Sequence, residues 1–285
     1  VAFEWTPGKS LAISPDGTRI VYGSSNPAPL ERLLYLRPVN QIEATPIRGT
    51  EGGSYPVFSP NGESIAFFDE ANSAMKRVSV LGGPAANVTR LSGSLMAMNW
   101  ASDDVIVFST SESHGLRRVP AVGGVSQPLT TENSSQTLHT WPQGLPGGTG
   151  VLFTVWTRPA STERVQGLGR IAHVSLATGQ VIDLGPGSHP QYSPTGHVIY
   201  SAGGALWAVG FDPHRPAFKG DPIPVVEGVQ PKQFGGGNFS VSGNGSLVYV
   251  SGSRAALERT LVWVDRTGRE EARDALPAVQ GGGVG

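Results

Sequence analysis

The residues of this chain that could do chemistry are scattered along it. Six histidines, at 114, 139, 173, 189, 197 and 214, show no metal-ligand spacing, and cysteine is absent, so neither a metal centre nor thiolate chemistry is expected. The paired acids Asp103/Asp104 and Glu270/Glu271 lie in turn-like, polar segments and read as solvated. "GLGRIA", Gly167 to Ala172, fits the glycine string of a dinucleotide loop, but no apolar strand precedes it, so no cofactor is expected. A phosphate-cradling G-x-x-x-x-G-K-S/T, a His-Glu-x-x-His pair and a G-x-S-x-G nucleophile elbow are all missing. The sequence therefore points away from catalysis and towards binding.

What would position a binding site is a repeat. "LAISPDGTRIVYGS" at Leu11 to Ser24 returns as "PVFSPNGESIAFFD", "PQYSPTGHVIYSA" and "FSVSGNGSLVYVSG". Alignment on the turn gives six copies, at Ser14–Gly17, Ser59–Gly62, Ala101–Asp104, Leu145–Gly148, Ser193–Gly196 and Ser242–Gly245, at steps of 42 to 49 residues. Within each copy an apolar strand follows the turn, then a third strand such as "MKRVSV", a second turn such as "LGGP" and a short fourth strand. Four strands per period of this length predict an all-β fold, a β-propeller of four-stranded antiparallel blades spanning 1–285 as a single domain. Six repeats are visible, which is either a six-bladed ring or a fragment of a larger array. "VAFEW" at Val1 to Trp5 alternates like a strand and could close the ring beside "EEARDAL", while a fragment of a larger array is equally allowed. Glu63 to Leu81 has neither Gly nor Pro and tempts a helix, but its register matches the strand-turn-strand of the other copies.

The turn itself is structural. Its third position holds Asp16, Asn61, Asp103, Gly147, Thr195 and Asn244, a spread no catalytic carboxylate would tolerate. Its fourth is Gly in five of six copies, as a left-handed backbone requires.

Composition agrees. Charged residues are 15% of the chain, against a usual ~25%, while 39 Gly and 23 Pro punctuate short strands. A net charge of −1 with dispersed Lys and Arg excludes a nucleic-acid partner. No apolar run approaches the ~18 residues of a membrane helix and no leader opens the sequence, so no membrane segment is expected within this chain. Val at position 1 and "QGGGVG" at the end are expected to be cuts within a longer protein.

One ring of positions is better than background. Four residues before each turn stand Ser10, Tyr55, Ala97, Trp141, His189 and Asn238, at the starts of the innermost strands. Tyr55, Trp141, His189 and Asn238 are the candidate residues for binding a protein or small-molecule ligand at that mouth of the propeller. The alternative is that Tyr55 and Trp141 pack between blades.

The Ser-Pro-Asp-Gly hairpin leading into an Ile/Val-aromatic strand resembles the WD-like, TolB-type β-propeller repeat. "WPQGLPGGTGVLFT", "TGHVIYSAGGALWAVGFD" and "LVWVDRTGREE" more narrowly resemble the propeller carried behind the kinase domain of bacterial serine/threonine protein kinases. That resemblance implies a non-catalytic, extracytoplasmic (periplasmic) sensor or interaction domain. The chain lacks a kinase's own motifs: its nearest approach to Asp-Phe-Gly is "QFG" at Gln233 to Gly235, without the metal-binding acid. Two alternatives stand beside it, the propeller of a prolyl-oligopeptidase-like hydrolase and a TolB-like periplasmic scaffold.

Overall fold

In a computed structural model, the structure describes residues 10–23, 32–102, 104–131, 137–157, 169–252, 261–264 and 270–271. They form antiparallel four-stranded sheets laid down in chain order. Sheet 1 is β1–β4 (Leu11–Ile13, Arg19–Gly23, Leu34–Pro38, Thr45–Pro46) and sheet 2 is β5–β8 (Gly53–Phe58, Ser64–Asp69, Ala74–Ser79, Ala86–Arg90). Sheet 3 is β9–β12 (Leu95–Ser102, Val105–Thr110, Arg117–Pro120, Gln127–Pro128) and sheet 4 is β13–β16 (Thr137–Gly144, Gly150–Thr157, Gly169–Ser175, Val181–Pro186). Sheet 5 is β17–β20 (Ser188–Ser193, His197–Ala202, Ala205–Asp212, Ala217–Val226), and β21–β24 (Phe239–Val241, Leu247–Val250, Leu261–Val264, Glu270–Glu271) follow as sheet 6.

Sheets 1 to 5 are blades described across all four strands. Sheet 6 is partial: its inner strands are short, and only the backbone of β23 and β24 is described. The six-bladed reading is corrected to five blades and a partial sheet, because the outer half of the last copy runs through 253–260 and 265–269, which lie outside the described residues. "VAFEW" lies outside them too.

The sequence pattern follows from each sheet being covered on both faces. Second strands read as unbroken apolar runs because alternate residues face different neighbours. On β6, Ile65 and Phe67 pack towards sheet 1, whereas Ala66 and Phe68 pack towards sheet 3. One apolar cluster fills each gap between consecutive sheets, and a last one joins Leu11, Ile13, Ile20 and Tyr22 of sheet 1 to Val248 and Val250 of sheet 6. The sheets therefore close into a ring. Outer strands are polar and exposed, and Pro46, Pro128, Pro222 and Pro224 on β4, β12 and β20 remove donors from edges that could otherwise pair with another chain.

The repeated turns are built as their residues require. The amide of Gly17, Gly62, Gly196 and Gly245 closes each hairpin on the carbonyl of Ser14, Ser59, Ser193 and Ser242. The Oδ1 of Asp16, Asn61 and Asn244 accepts from the Ser hydroxyl and from the amide two residues on. Acid and amide serve equally in closing the turn because that step uses only Oδ1; the second atom makes separate contacts, Asn244 Nδ2 donating to Asp16 O and Asp16 Oδ2 facing Arg19. Glu63 to Leu81 is β6, a turn and β7, not a helix.

Candidate ligand-binding funnel

The innermost strands β1, β5, β9, β13, β17 and β21 surround the axis of the ring. Bulges interrupt β5, β13 and β17, and each places a residue in the left-handed region: Tyr55 (φ 54°), Trp141 (φ 51°) and His189 (φ 52°). Such backbone in a residue with a Cβ costs of the order of 1–3 kcal/mol and persists only where surroundings enforce it. Here the enforcement is burial: Tyr55, Trp141, His189 and Asn238 are all buried.

At this strand-start mouth the structure brings Trp141 and His189 together. Their rings stack at 4.1 Å, and the imidazole lies 4.6 Å from Phe239. Asn238 joins a different group, accepting from the Ser10 hydroxyl at 3.1 Å and donating to Gln230 Oε1 at 2.8 Å. Tyr55 stands apart in the core between sheets 2 and 3, edge-on to Phe68. Ala97 is buried as well. The connection Val229–Gly237 spans this mouth: the Trp141 indole donates to Gln233 O, Phe234 meets Trp156 edge-on, and buried Lys232 reaches within 3.5 Å of Ser10 Oγ. Only glycine fits at 236, since a Cβ there would lie 2.5 Å from the Trp141 ring.

The open concavity is at the other end. A cavity of about 730 Å³ takes its walls from all six sheets, where the innermost strands run into their turns. Two residues before each turn stand Ala12, Val57, Asn99, Gln143, Gln191 and Ser240, and all six line it. This ring is asymmetric. Sheets 1 and 2 give it apolar groups, while the other four give it amides and a hydroxyl. The next position on each strand brings Ile13, Phe58, Trp100 and Tyr192 to the same walls. Among the described residues of the lining, the one acidic or basic side chain is Asp104, exposed at the rim.

Several of these polar groups also stitch neighbouring sheets. Asn99 Oδ1 accepts from Gly144 N at 2.9 Å, Gln191 Oε1 from Val241 N at 2.8 Å, and Ser240 Oγ from Ile13 N at 3.3 Å. Gln191 Nε2 faces Phe239 O and His189 Nε2, both at 3.1 Å, while His189 Nδ1 lies 2.9 Å from Gly237 O. This network assigns the imidazole proton to Nδ1 and leaves Nε2 as an acceptor. Gln191 and His189 are thus one unit that links both ends of the channel. Among the described residues no cluster of three or more His, Asp or Glu could hold a metal, and no helix is long and apolar enough to cross a membrane.

The funnel ring was open to the same internal alignment that singled out Tyr55, Trp141, His189 and Asn238. It lies two residues further on, and its polar asymmetry is the signal.

No family profile matches the chain, and no curated protein matches it. Solved structures do. TolB from Acinetobacter baumannii is 22% identical over 71% of this chain, with a TM-score of 0.53, and this chain spans about half (51%) of that one. A putative TolB from Agrobacterium tumefaciens is 18% identical over 66% of this chain and 70% of its own, with a TM-score of 0.52. The Cps50 (Swd1) β-propeller domain of Myceliophteria thermophila is 9% identical over 96% of this chain and 87% of its own, with a TM-score of 0.60. Likeness at 22% identity or lower shows the β-propeller fold, TolB among its neighbours, and nothing finer.

Proposed function

We propose that this chain is a TolB-like β-propeller scaffold that binds a ligand or partner segment in the strand-end funnel and performs no chemistry of its own. The observation that carries this reading is the funnel's lining: six equivalent positions hold six environments, amides and a hydroxyl opposite apolar groups, with no nucleophile–base pair among them. A pocket discriminates by a few placed polar groups against apolar walls, whereas a ring serving packing alone has no need of such asymmetry. The TolB neighbours support the scaffold reading and, with it, an extracytoplasmic location.

The narrower sensor reading, a propeller carried behind a bacterial serine/threonine kinase domain, rests on the stretches "WPQGLPGGTGVLFT" and "LVWVDRTGREE". It uses the same funnel. Trp141, His189 and Asn238 give that reading a second mouth, where binding requires Val229–Gly237 to move aside; Tyr55, packed between sheets 2 and 3, does not take part in it.

The test is a ligand-observed NMR screen of peptides and small molecules against three proteins: wild type, Gln143→Trp, which fills the funnel from a half-buried position, and Trp141→Ala at the opposite mouth. Ligands should be lost in Gln143→Trp and kept in Trp141→Ala. The opposite pattern would move the site to the strand-start mouth, and turnover of any bound compound would overturn the non-catalytic reading.

A further inference from the structure

We infer that the funnel is a saccharide site, taking a short, uncharged oligosaccharide. This inference rests on the funnel being the binding site and adds the chemical class. The argument starts from what the walls cannot do. An extended peptide is usually held by adding a strand to an exposed edge through main-chain hydrogen bonds. The innermost strands do present their free edge to the channel, but amides on that edge are already engaged. Ile13 N is taken by Ser240, Gly144 N by Asn99 and Val241 N by Gln191. The sheets have used that edge to hold one another. Polyanions are disfavoured too, because among the described residues of the lining the one acidic or basic group is the acid Asp104 at the rim, and no Lys or Arg answers it from the walls.

What remains is neutral hydrogen-bonding capacity on one arc. Asn99 has spent its oxygen on Gly144 but keeps its Nδ2 donors, whose nearest partner is Gln143 Oε1 at a long 3.5 Å. Gln143 donates to its neighbour's carbonyl at 3.2 Å, accepts that long contact from Asn99 and is half-buried, so it can turn to a ligand. Ser240 Oγ accepts from Ile13 and has its O–H left to donate. Amides and hydroxyls that both donate and accept match sugar hydroxyls, which do the same. Across the ring stand Ala12 and Val57 with Phe58 beside them, an apolar arc for the C–H face of a pyranose. At about 730 Å³ the cavity falls within the usual range for small-molecule sites.

The experiment is calorimetric titration with cellotriose, maltotriose and tri-N-acetylchitotriose as neutral probes and trigalacturonate as the anionic one. At least one neutral trisaccharide should bind, and trigalacturonate should not. Asn99→Asp keeps the oxygen that Gly144 needs but replaces the Nδ2 donors by a charged acceptor, and should weaken binding by about tenfold or more. Gln143→Trp should abolish it, with thermal unfolding of both variants showing that the fold persists. If no neutral trisaccharide binds at millimolar concentration while other ligands still depend on position 143, the saccharide class falls and the funnel stands. Equal binding of trigalacturonate sinks the charge argument, and saccharide binding indifferent to Gln143→Trp sinks the funnel itself.

Discussion

Replacing Gln191 by leucine asks whether the blades are held by side-chain bonds across the channel or by apolar packing alone. The substitution keeps the volume and deletes every hydrogen bond. Gln191 is 2% exposed, and its amide serves Val241 N at 2.8 Å, Phe239 O at 3.1 Å and His189 Nε2 at 3.1 Å. Water has little access to any of the three. A buried polar group left unsatisfied costs about 1–3 kcal/mol, and partial relaxation makes the three less than additive, so Gln191→Leu should lose about 3–5 kcal/mol. Urea unfolding followed by tryptophan fluorescence and circular dichroism measures it, with coincident transitions required for the two-state treatment. Gln191→Glu sharpens the test. It preserves the acceptor for Val241 N but turns the donor into an oxygen facing the Phe239 carbonyl and the imidazole lone pair. That variant should be destabilised at neutral pH and recover relative to wild type on acidification, when a proton enters between carboxylate and imidazole. A loss below about 1 kcal/mol for Gln191→Leu, or no relative recovery of Gln191→Glu in acid, would refute the stitching argument.

Other outcomes follow from the same geometry. Gly62→Val should cost about 1 kcal/mol or more, since Gly62 sits at φ 72° and a Cβ there would lie 3.2 Å from the Arg19 guanidinium; Asp16→Asn should be near-silent in the same denaturant assay, because Asn61 and Asn244 already do its work. His173 is buried on β15 with no partner for Nδ1 among the described residues, and burial holds its pKa below the usual value, so the folded state favours the neutral ring; its contribution is constant above the unfolded value of about 6.5 and becomes destabilising as pH falls below it. His173→Leu should therefore unfold with a shallower loss of stability between about pH 7.5 and 5.5 than wild type. Trp141→Ala should expose the Val229–Gly237 connection, read as faster amide hydrogen exchange there and unchanged exchange in β6, because the indole stacks on His189 and bonds Gln233 O.

How much of this was legible in the sequence depends on whether the information is repeated. The turns were, because three of the six copies solve the same local problem with the same parts, a Ser hydroxyl, an Asx oxygen and a left-handed glycine within four residues, and Ser193–Gly196 does so with Thr195 in the Asx place. The special standing of positions 55, 141 and 189 was legible as well. Each precedes a proline, Pro56, Pro142 or Pro190, and each proves to be the left-handed residue of a bulge. A chain that bends at the same place in three strands leaves the same mark three times.

The orientation of the channel was not legible, because it depends on a segment with no counterpart in the other copies. Gly228–Gly237 is the irregular connection between sheets 5 and 6, and its placement across the strand-start mouth is fixed by single contacts: Trp141 on Gln233 O, Phe234 on Trp156, and Gly236 fitting only because it lacks a Cβ. Internal alignment has nothing to compare such a segment with. The bulges have a consequence at the far end, however. Each left-handed residue stands two positions before a channel-lining one: Tyr55 before Val57, Trp141 before Gln143, His189 before Gln191. An extra residue in a strand re-aims every side chain beyond it. The aromatic residues that close one mouth therefore belong to the bends that direct Val57, Gln143 and Gln191 into the other: trimming the ring, as in Trp141→Ala, leaves the bulge in place and should spare funnel binding, whereas deleting residue 141, which removes the bulge, should disturb it through geometry although no ligand touches that position.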